Sequence, residues 1–333
     1  MPKPQDQQLI GESPAFLEVL EQVSRVAPLN RPVIVIGERG TGKELIAIRL
    51  HYLSGRWDYP FIKMNCAALA ESLLETELFG HEAGSFTGAN KRRLGRFELA
   101  NNGSLFLDEL SNTSSSVQEK ILRVIEYGEF ERVGSSETIR TNVRIICATN
   151  EDLPMLATQG KFRSDLLDRL AFDVITLPPL RERPGDIMTL ANHFAVRMAG
   201  ELGEQVFNGF ANTAAKELTE YSWPGNVREL KNVVERAVYN SFGNGGPVKE
   251  ISFDPFESPW RPRSADADAP ASTAAASEPY DFKQVIQDEE IRRLKEALEF
   301  CRYNQKKTAE FLGMTYHQLR GYLRKYELTD SED

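Results

Sequence analysis

The chain has 333 residues, a formal net charge of −9 and 41% hydrophobic residues, which is enough to build the cores of at least two globular domains. No apolar run is long enough to cross a bilayer, and the first residues carry no apolar signal core. We therefore expect a cytoplasmic protein without membrane insertion. The three cysteines suggest neither a disulfide framework nor a zinc site, and Cys66 and Cys147 are predicted to be buried thiols.

A glycine-rich segment follows the first predicted strand. The apolar run Val33–Ile36 precedes it, and a helical pattern starts at Leu45. The segment reads Gly37-Glu38-Arg39-Gly40-Thr41-Gly42-Lys43-Glu44, which has the spacing of a P-loop. Its backbone N–H groups and the helix N-terminus would hold the phosphates of ATP, with Lys43 reaching the terminal ones. Glu44 stands where a serine or threonine normally holds Mg²⁺, so the metal must be held from elsewhere.

Apolar strands alternate with helical patterns as far as Leu177, which predicts a parallel sheet covered by helices on both faces. The strand candidates are Val33–Ile36, Phe61–Asn65, Ser104–Leu107, Val143–Ala148 and Val174–Leu177. We expect an α/β subdomain in residues 1–178, a helical lid in 179–252, a flexible linker rich in Ala, Ser and Pro in 253–280, and a separate module in 281–333.

Two predicted strands end in polar residues. Asp108 and Glu109 follow the strand Ser104–Leu107, at the edge where α/β proteins form ligand sites. Asp108 would hold Mg²⁺, directly or through water, and Glu109 would act as the general base toward the attacking water. Asn150 ends a third strand, where it could contact the γ-phosphate, although a simple strand-terminating turn is equally plausible from the residues alone.

Three motifs of this chain resemble, in their order, those of an AAA+ ATPase. They are the P-loop, Leu-Phe-Leu-Asp108-Glu109 and Ala-Thr149-Asn150. That resemblance identifies Phe162–Leu170 with the arginine-finger segment and Trp223–Leu230 with the second sensor. It implies that Arg163 and Arg169 reach the ATP of a neighbouring subunit, and that Arg228 contacts nucleotide within its own subunit. It also implies a homo-oligomeric ring, expected to be hexameric.

A more specific resemblance lies in the segment Glu77–Ala89, which is similar to the Gly-Ala-Phe-Thr-Gly-Ala loop of the bacterial sigma-54 activators, the enhancer-binding proteins. The matching residues are Gly84, Ser85, Phe86, Thr87, Gly88 and Ala89, with Ser85 in place of the usual alanine. In this family the loop engages the sigma-54 subunit of RNA polymerase. The resemblance also implies that Asn65 pairs with Glu109 and switches it according to nucleotide state.

The end of the chain is basic although the whole chain is acidic. Between Cys301 and Tyr326 the net charge is +5, which favours a separate anion-binding module. The segment Tyr303–Arg320 resembles a Fis-type helix-turn-helix, in which Ala309, Phe311 and Leu312 would pack the first helix and Thr315 would cap the second. The expected contacts to enhancer DNA are Lys306, Lys307, Thr315, Tyr316, His317, Gln318, Arg320, Arg324 and Lys325.

Further segments resemble the phage-shock branch of the sigma-54 activators, and the ATPase motifs begin near Leu9, so we expect no receiver or ligand-sensing domain ahead of them. Members of that branch are controlled by a separate inhibitor, phage shock protein A. Trp57 matches the position that contacts the inhibitor; the alternative is a half-buried tryptophan that packs on the sheet domain.

The combined motifs predict a sigma-54-dependent activator that uses ATP to convert the closed polymerase complex into the open one. Two alternatives remain. One is a protein unfoldase whose Phe86 loop grips substrate, which the predicted helix-turn-helix disfavours. The other is a DNA-binding regulator with a decayed ATPase site, which the presence of Lys43, Asp108 and Glu109 disfavours.

Overall fold

The computed structural model describes residues 9–86, 89–204, 206–243, 245–256, 258, 260–261, 282–326 and 328, without the side chains of 282, 285 and 288. Thr87 and Gly88 of the predicted sigma-54 loop lie outside the described residues, as does most of the predicted linker 253–280. The chain forms two compact units, which divide between Pro255 and Phe256.

The first unit contains all nine strands of the described part of the chain. In chain order, β1 to β9 are Val33–Ile36, Phe61–Asn65, Gly80–His81, Arg93–Leu94, Ser104–Asp108, Glu129–Glu131, Thr138–Arg140, Arg144–Thr149 and Val174–Thr176. Five of them form one parallel sheet in the order β2-β5-β8-β1-β9. The strands β3 and β4 form a small antiparallel pair, and so do β6 and β7.

The helices follow the predicted alternation in the first unit and form three further elements in the second. In chain order, α1 to α13 are Pro14–Val26, Lys43–Tyr52, Glu71–Phe79, Arg96–Leu99, Ser115–Tyr127, Leu153–Thr158, Ser164–Leu170, Pro184–Glu201, Asn212–Glu220, Asn226–Ser241, Phe282–Phe300, Gln305–Phe311 and Tyr316–Lys325. Within the described ranges, no helix combines the length and apolarity needed to span a membrane.

Both faces of the parallel sheet are covered, which explains why its central strands read as continuous apolar runs. Leu105 and Leu107 of β5 pack on one face with α3, α5 and α7, whereas Phe106 between them packs on the other face with α1 and α2. The predicted doubly covered α/β fold is therefore confirmed. Cys66 and Cys147 are buried as predicted, and burial raises the pKa of the Cys66 thiol to about 12.

The helical lid consists of α8, α9 and α10 around the fully buried Trp223. The indole Nε1 of Trp223 donates to the carbonyl oxygen of Leu218 at 2.9 Å. Tyr221 stacks on Phe253 with ring centroids 4.2 Å apart, and Phe253 also contacts the Trp223 ring. The packing of the lid therefore extends at least to Phe253, a residue that the sequence division placed in the linker.

The second unit contains α11, α12 and α13 around a small apolar core to which Leu294, Leu298, Ala309, Leu319 and Leu323 contribute. Thr315 caps α13 as predicted, because its Oγ1 accepts from the Gln318 backbone N–H. The prediction that Phe311 packs in the core is wrong: Phe311 is 59% exposed and contacts the exposed ring of Phe300. Ala309 and Leu312 share a helix face three residues apart, and position 311 falls on the other side.

Candidate functional site

The glycine-rich segment is a loop between β1 and α2, as its spacing predicts. Gly40 and Gly42 have φ angles of +80° and +102°, which glycine adopts without the strain that a side chain would add. Lys43 begins α2 and is only 8% exposed. Its Nζ donates to the carbonyl oxygens of Gly37 at 2.8 Å and Glu38 at 3.2 Å, so the ammonium group lies against the loop itself.

The two acids at the end of β5 lie close to Lys43. Burial lowers the pKa of Lys43, and the carboxylates of Glu109 and Asp108 oppose that shift. Burial likewise raises the pKa of Asp108, and the Lys43 charge opposes it. Glu109 has a left-handed backbone with φ +55°, an uncommon and strained conformation outside glycine that is frequent at functional sites. The predicted lysine and acid pair therefore form one electrostatic cluster.

Asn65 lies opposite Asp108 in the register of β2 and β5. The expected pairing of Asn65 with Glu109 does not occur among the hydrogen bonds of the described residues. Instead, the Asn65 Oδ1 accepts from the backbone N–H of Ala67 at 2.9 Å, because Asn65 caps the short 3₁₀ turn that follows β2. Asn150 lies beside the P-loop, since the carbonyl oxygen of the preceding residue, Thr149, accepts from the Gly37 N–H at 3.3 Å.

Glu44, the departure from the usual P-loop, forms an ion pair with Lys63 on β2. The Lys63 Nζ lies 2.7 Å from the Glu44 Oε1, and both side chains are exposed. The Glu44 charge also contributes to the raised pKa of Asp108, after burial, which is the main cause. Glu44 therefore lies near the acid pair, with its carboxylate already bound to a lysine.

The lid contacts the P-loop through the N-terminus of α10. A Cβ atom at Gly40 would overlap the carbonyl oxygen of Gly225 and would lie 3.1 Å from the Cβ of Arg228. The Arg228 charge acts on both Lys43 and Asp108. The structure thus brings Arg228 to the P-loop and the acid pair. Asn226 and Arg181 also contact the P-loop, and the sequence analysis did not identify either of them. The only sequence signal for a role of these two residues was their position, with Arg181 just before α8 and Asn226 just after α9.

Arg163 and Arg169 have different surroundings, at the start and near the end of α7. The guanidinium of Arg163 donates to the Asp165 carboxylate at 2.7 and 3.0 Å. The Arg169 Nε donates to the Glu126 Oε1 at 2.7 Å. Each arginine is thus paired with a carboxylate of its own chain, and both side chains reach the surface, where a second subunit could meet them.

The described residues of the segment that resembles the sigma-54 loop lie between β3 and β4 and are joined by backbone hydrogen bonds. The Gly84 N–H donates to the Ala89 carbonyl oxygen at 2.7 Å, and the Ala89 N–H donates to the Phe86 carbonyl oxygen at 3.0 Å. Phe86 is 43% exposed and makes an edge-to-face contact with the His81 ring. The described part of the loop therefore presents an exposed aromatic, as predicted.

The base of this loop is fixed by Arg132, which sequence reasoning missed. The side chain of Arg132 is 4% exposed, and its guanidinium forms ion pairs with Glu82 at 2.9 Å and Glu98 at 2.6 Å. Backbone hydrogen bonds join Gly80 and Glu82 to Val133. The loop and the hairpin of β6 and β7 are thus connected at their bases.

Trp57 is 63% exposed, which excludes the alternative of a half-buried side chain, and the exposed Tyr52, Leu53 and Tyr59 are close to it in sequence.

In the second unit, all nine residues predicted to contact DNA are exposed. The Gln318 Oε1 accepts from the backbone N–H of Thr315 at 2.9 Å, so part of this side chain serves the helix cap.

Comparison with known proteins shows the family to which the chain belongs. The family of the sigma-54 interaction domain matches residues 9–176, the AAA+ ATPase lid domain matches 181–271, and the Fis family of bacterial regulatory proteins matches 286–326. The chain belongs to the sigma-54 activator family. It is accordingly a sigma-54-dependent transcriptional activator with an AAA+ ATPase domain and a Fis-type DNA-binding helix-turn-helix.

Among its relatives, the Psp operon transcriptional activator of Escherichia coli (strain K12) is 56% identical over 96% of this chain and 98% of its own length. The Nif-specific regulatory protein of Azospirillum brasilense is 55% identical over 70% of this chain, which covers 37% of that protein. The crystal structure of NtrX from Brucella abortus in complex with ATP is 31% identical, covers 96% of this chain and 69% of that one, and has a TM-score of 0.69.

Proposed function

We propose that this activator binds enhancer DNA, assembles into a hexameric ring and hydrolyses ATP to convert the closed sigma-54 polymerase complex into the open one. The observation that carries this proposal is that the same chain contains the cluster of Lys43, Asp108 and Glu109 and a loop with the exposed side chain of Phe86. The similarity to the Psp operon transcriptional activator of Escherichia coli extends over nearly the whole chain and supports a role at a phage-shock operon. A cytoplasmic location is part of the proposal, since the enhancer lies on the chromosome.

In the proposed reaction, the P-loop backbone and Lys43 bind the phosphates of ATP. To do so, the Lys43 ammonium exchanges its hydrogen bonds with Gly37 and Glu38 for phosphate oxygens. Glu109 orients the attacking water and accepts its proton. Asn150, beside the P-loop, contacts the γ-phosphate or the water. Asn65 meets Glu109 only in a different nucleotide state, after its side chain leaves the 3₁₀ turn.

The residues of the site fit a magnesium ion. Carboxylate oxygens are the ligands that Mg²⁺ prefers, and Asp108 supplies a half-buried carboxylate at the end of β5, close to Lys43. Asp108 would hold the ion directly or through water. Glu44 could contribute only after its ion pair with Lys63 is broken. When bound, the ion neutralises charge on the β- and γ-phosphates.

Arg163 and Arg169 act across the ring interface in this proposal. Each would exchange its present carboxylate, Asp165 or Glu126, for the phosphates of the neighbouring subunit's ATP. Arg228 contacts the nucleotide of its own subunit. Hydrolysis then depends on assembly, because every site needs residues of two chains.

The exposed Trp57 supports a proposed contact with an inhibitor similar to phage shock protein A. Large aromatics are frequent anchors of protein interfaces, and Trp57 has most of its surface free to bury. Binding there would reduce ATP turnover and so keep the activator silent until membrane stress removes the inhibitor.

The proposal is tested with ADP–aluminium fluoride, which traps an activator on sigma-54. The native chain should form the trapped complex in a gel-shift assay, and Phe86→Ala should not, although its ATP turnover should largely persist. Phe242→Ala, which removes a similarly exposed aromatic from the end of α10, is the control and should trap sigma-54 normally. Normal trapping by Phe86→Ala would overturn the role of the loop and favour the unfoldase alternative.

A further inference from the structure

Asn226, the first residue of α10, is the most completely buried polar side chain at the contact between lid and P-loop. It is 0% exposed, and its amide makes three hydrogen bonds. The Nδ2 donates to the Glu38 Oε2 and to the Arg39 carbonyl oxygen, both at 3.0 Å, and the Oδ1 accepts from the Leu180 N–H at 2.8 Å. One side chain thereby joins the P-loop to two separate segments of the lid.

Glu38 extends this connection to a second lid residue. The guanidinium of Arg181 donates to both Glu38 oxygens, at 2.6 and 3.0 Å. The two hydrogen bonds are parallel, which is the arrangement in which arginine fixes the orientation of a carboxylate best. These bonds from Arg181, with that from Asn226, lower the pKa of Glu38 to about 2, so the carboxylate stays charged throughout the neutral range.

The contribution of this ion pair to stability is small. Arg181 and Glu38 are 45% and 42% exposed, and exposed pairs are weakened by water and salt. The backbone of Asn226, in contrast, has a φ of +52°, which is strained for a side chain other than glycine. An exposed ion pair and a strained, buried asparagine are better explained by a requirement for geometry than by one for stability.

The backbones of the P-loop and the lid approach each other closely at this point. Gly40 lies so close to Gly225 that even a Cβ atom would overlap the Gly225 carbonyl oxygen. Arg228 follows Asn226 by two residues, on the same first turn of α10. Whatever holds Asn226 against Glu38 therefore also positions the first turn of α10, which carries Arg228, against the P-loop.

We propose that Glu38, Asn226 and Arg181 form a joint that positions Arg228 over the P-loop, so that a change in the loop is passed directly to the lid. The three are positioning residues for ATP hydrolysis. The inference rests on the proposed contact of Arg228 with nucleotide, and goes beyond it by naming what holds Arg228 in place. Loss of the joint leaves the phosphate-binding loop intact, but Arg228 is no longer held in the position in which it contacts the nucleotide.

The test uses the full-length chain and measures ATP turnover, KM and Tm for Arg181→Ala, Glu38→Gln and Arg228→Ala. We expect kcat of Arg181→Ala and Glu38→Gln to fall about tenfold, since small misplacements of a positioned group cost one to two orders of magnitude. KM and Tm should hardly change. Arg181→Lys should recover only part of kcat, because lysine keeps the charge but not the paired hydrogen bonds. The matched control is Arg292→Ala, which removes a similarly exposed arginine from a two-bonded pair with Glu289 in the second unit.

Combination with Arg228→Ala separates positioning from a merely structural role. If the joint acts through Arg228, the double variant Arg181→Ala/Arg228→Ala should be no slower than Arg228→Ala alone. Multiplied losses would overturn the proposal, as would a normal kcat in Arg181→Ala and Glu38→Gln while Arg228→Ala is slow. Asn226→Gly, which keeps the left-handed backbone and removes the amide, should also lower kcat. Normal turnover and affinity in Arg228→Ala would instead refute the proposed role of Arg228 itself.

Discussion

Ser85 lies directly against Gly134, so that a Cβ atom on Gly134 would overlap the Cβ of Ser85 and would lie 3.1 Å from its Cα. Gly134 follows β6, on the hairpin whose base is joined to the sigma-54 loop through Arg132 and Val133. The hairpin therefore contacts the loop at Ser85, the residue before Phe86, and a Cβ atom at Gly134 would not fit unless Ser85 moved.

Gly134→Ala should disturb the sigma-54 loop and leave the ATP site unaffected. The new methyl group displaces Ser85, so trapping of sigma-54 by ADP–aluminium fluoride should fall at least tenfold while ATP turnover stays near normal. Gly134 also has a φ of +81°, and an alanine there costs about 1–2 kcal/mol of backbone strain. Gly160→Ala is the control, because Gly160 has a φ of +71° and no atom near its Cβ position. Equal trapping by both variants would contradict the supporting role of the hairpin.

Ser85→Ala should trap sigma-54 as well as the native chain, or better. The Ser85 Oγ donates to the Glu82 carbonyl oxygen at 2.8 Å, within the loop, whereas the Ser85 Cβ and Cα are the atoms nearest to the position that a Cβ on Gly134 would take. Alanine keeps the Cβ contact and removes the internal hydrogen bond, which frees the loop to move toward its partner. The measurement is the same trapping assay, titrated with sigma-54; a weaker complex would show that the hydroxyl itself takes part in the contact.

Glu109→Gln should bind ATP and nearly abolish its hydrolysis. The amide cannot accept the proton of the attacking water, and loss of a general base costs two to four orders of magnitude in rate, or roughly 3–5 kcal/mol. Lys43→Ala should instead weaken binding itself, because it removes the ammonium group that lies against the loop at the Gly37 and Glu38 carbonyl oxygens. Binding of a fluorescent ATP analogue and single-turnover hydrolysis distinguish the two; near-normal turnover in Glu109→Gln would contradict its role as base.

Mixed rings should reveal the role of Arg169. Arg163→Ala, Arg169→Ala and Lys43→Ala should each be inactive alone, but rings that mix Arg169→Ala with Lys43→Ala contain some sites with both residues intact. Turnover should therefore recover in part on mixing, by an amount that depends on the ratio of the two chains. Sedimentation confirms assembly, and mixed rings that form without any recovery would rule out action across subunits.

Truncation after Pro255 should give an ATPase that has lost sequence-specific DNA binding. This position respects the lid, whose packing includes Phe253. The full chain should lose enhancer affinity steeply with added salt, since lysine and arginine neutralise phosphates. Arg320→Ala should weaken binding by about 1–3 kcal/mol if it contacts a base, whereas Arg292→Ala, on α11, should not. Equal enhancer affinity of the truncated and full-length chains would contradict the division.

Much of the fold follows from local sequence. The run Val33–Ile36 has the bounds of β1, because apolar β-branched residues buried on both faces favour a central parallel strand. The glycines of the P-loop and Thr315 at the start of α13 mark their positions by backbone conformation and side-chain capping, both of which depend on near neighbours. The fold class, the phosphate cradle and the helix-turn-helix could therefore be predicted before the structure was known.

The tertiary structure alone decided which side chains meet across the chain. Asn226 and Glu38 are 188 residues apart, and no local pattern requires the amide of one to bind the carboxylate of the other. Asn65 could cap its own turn or reach Glu109, two options that differ only in the surrounding packing, and Phe311 became exposed because Ala309 and Leu312 occupy the buried face. Sequence by itself determined the elements and the chemistry that they carry, since those depend on backbone propensity and residue type. The partners were decided by packing, because the energy of a hydrogen bond or ion pair depends on what else is buried beside it.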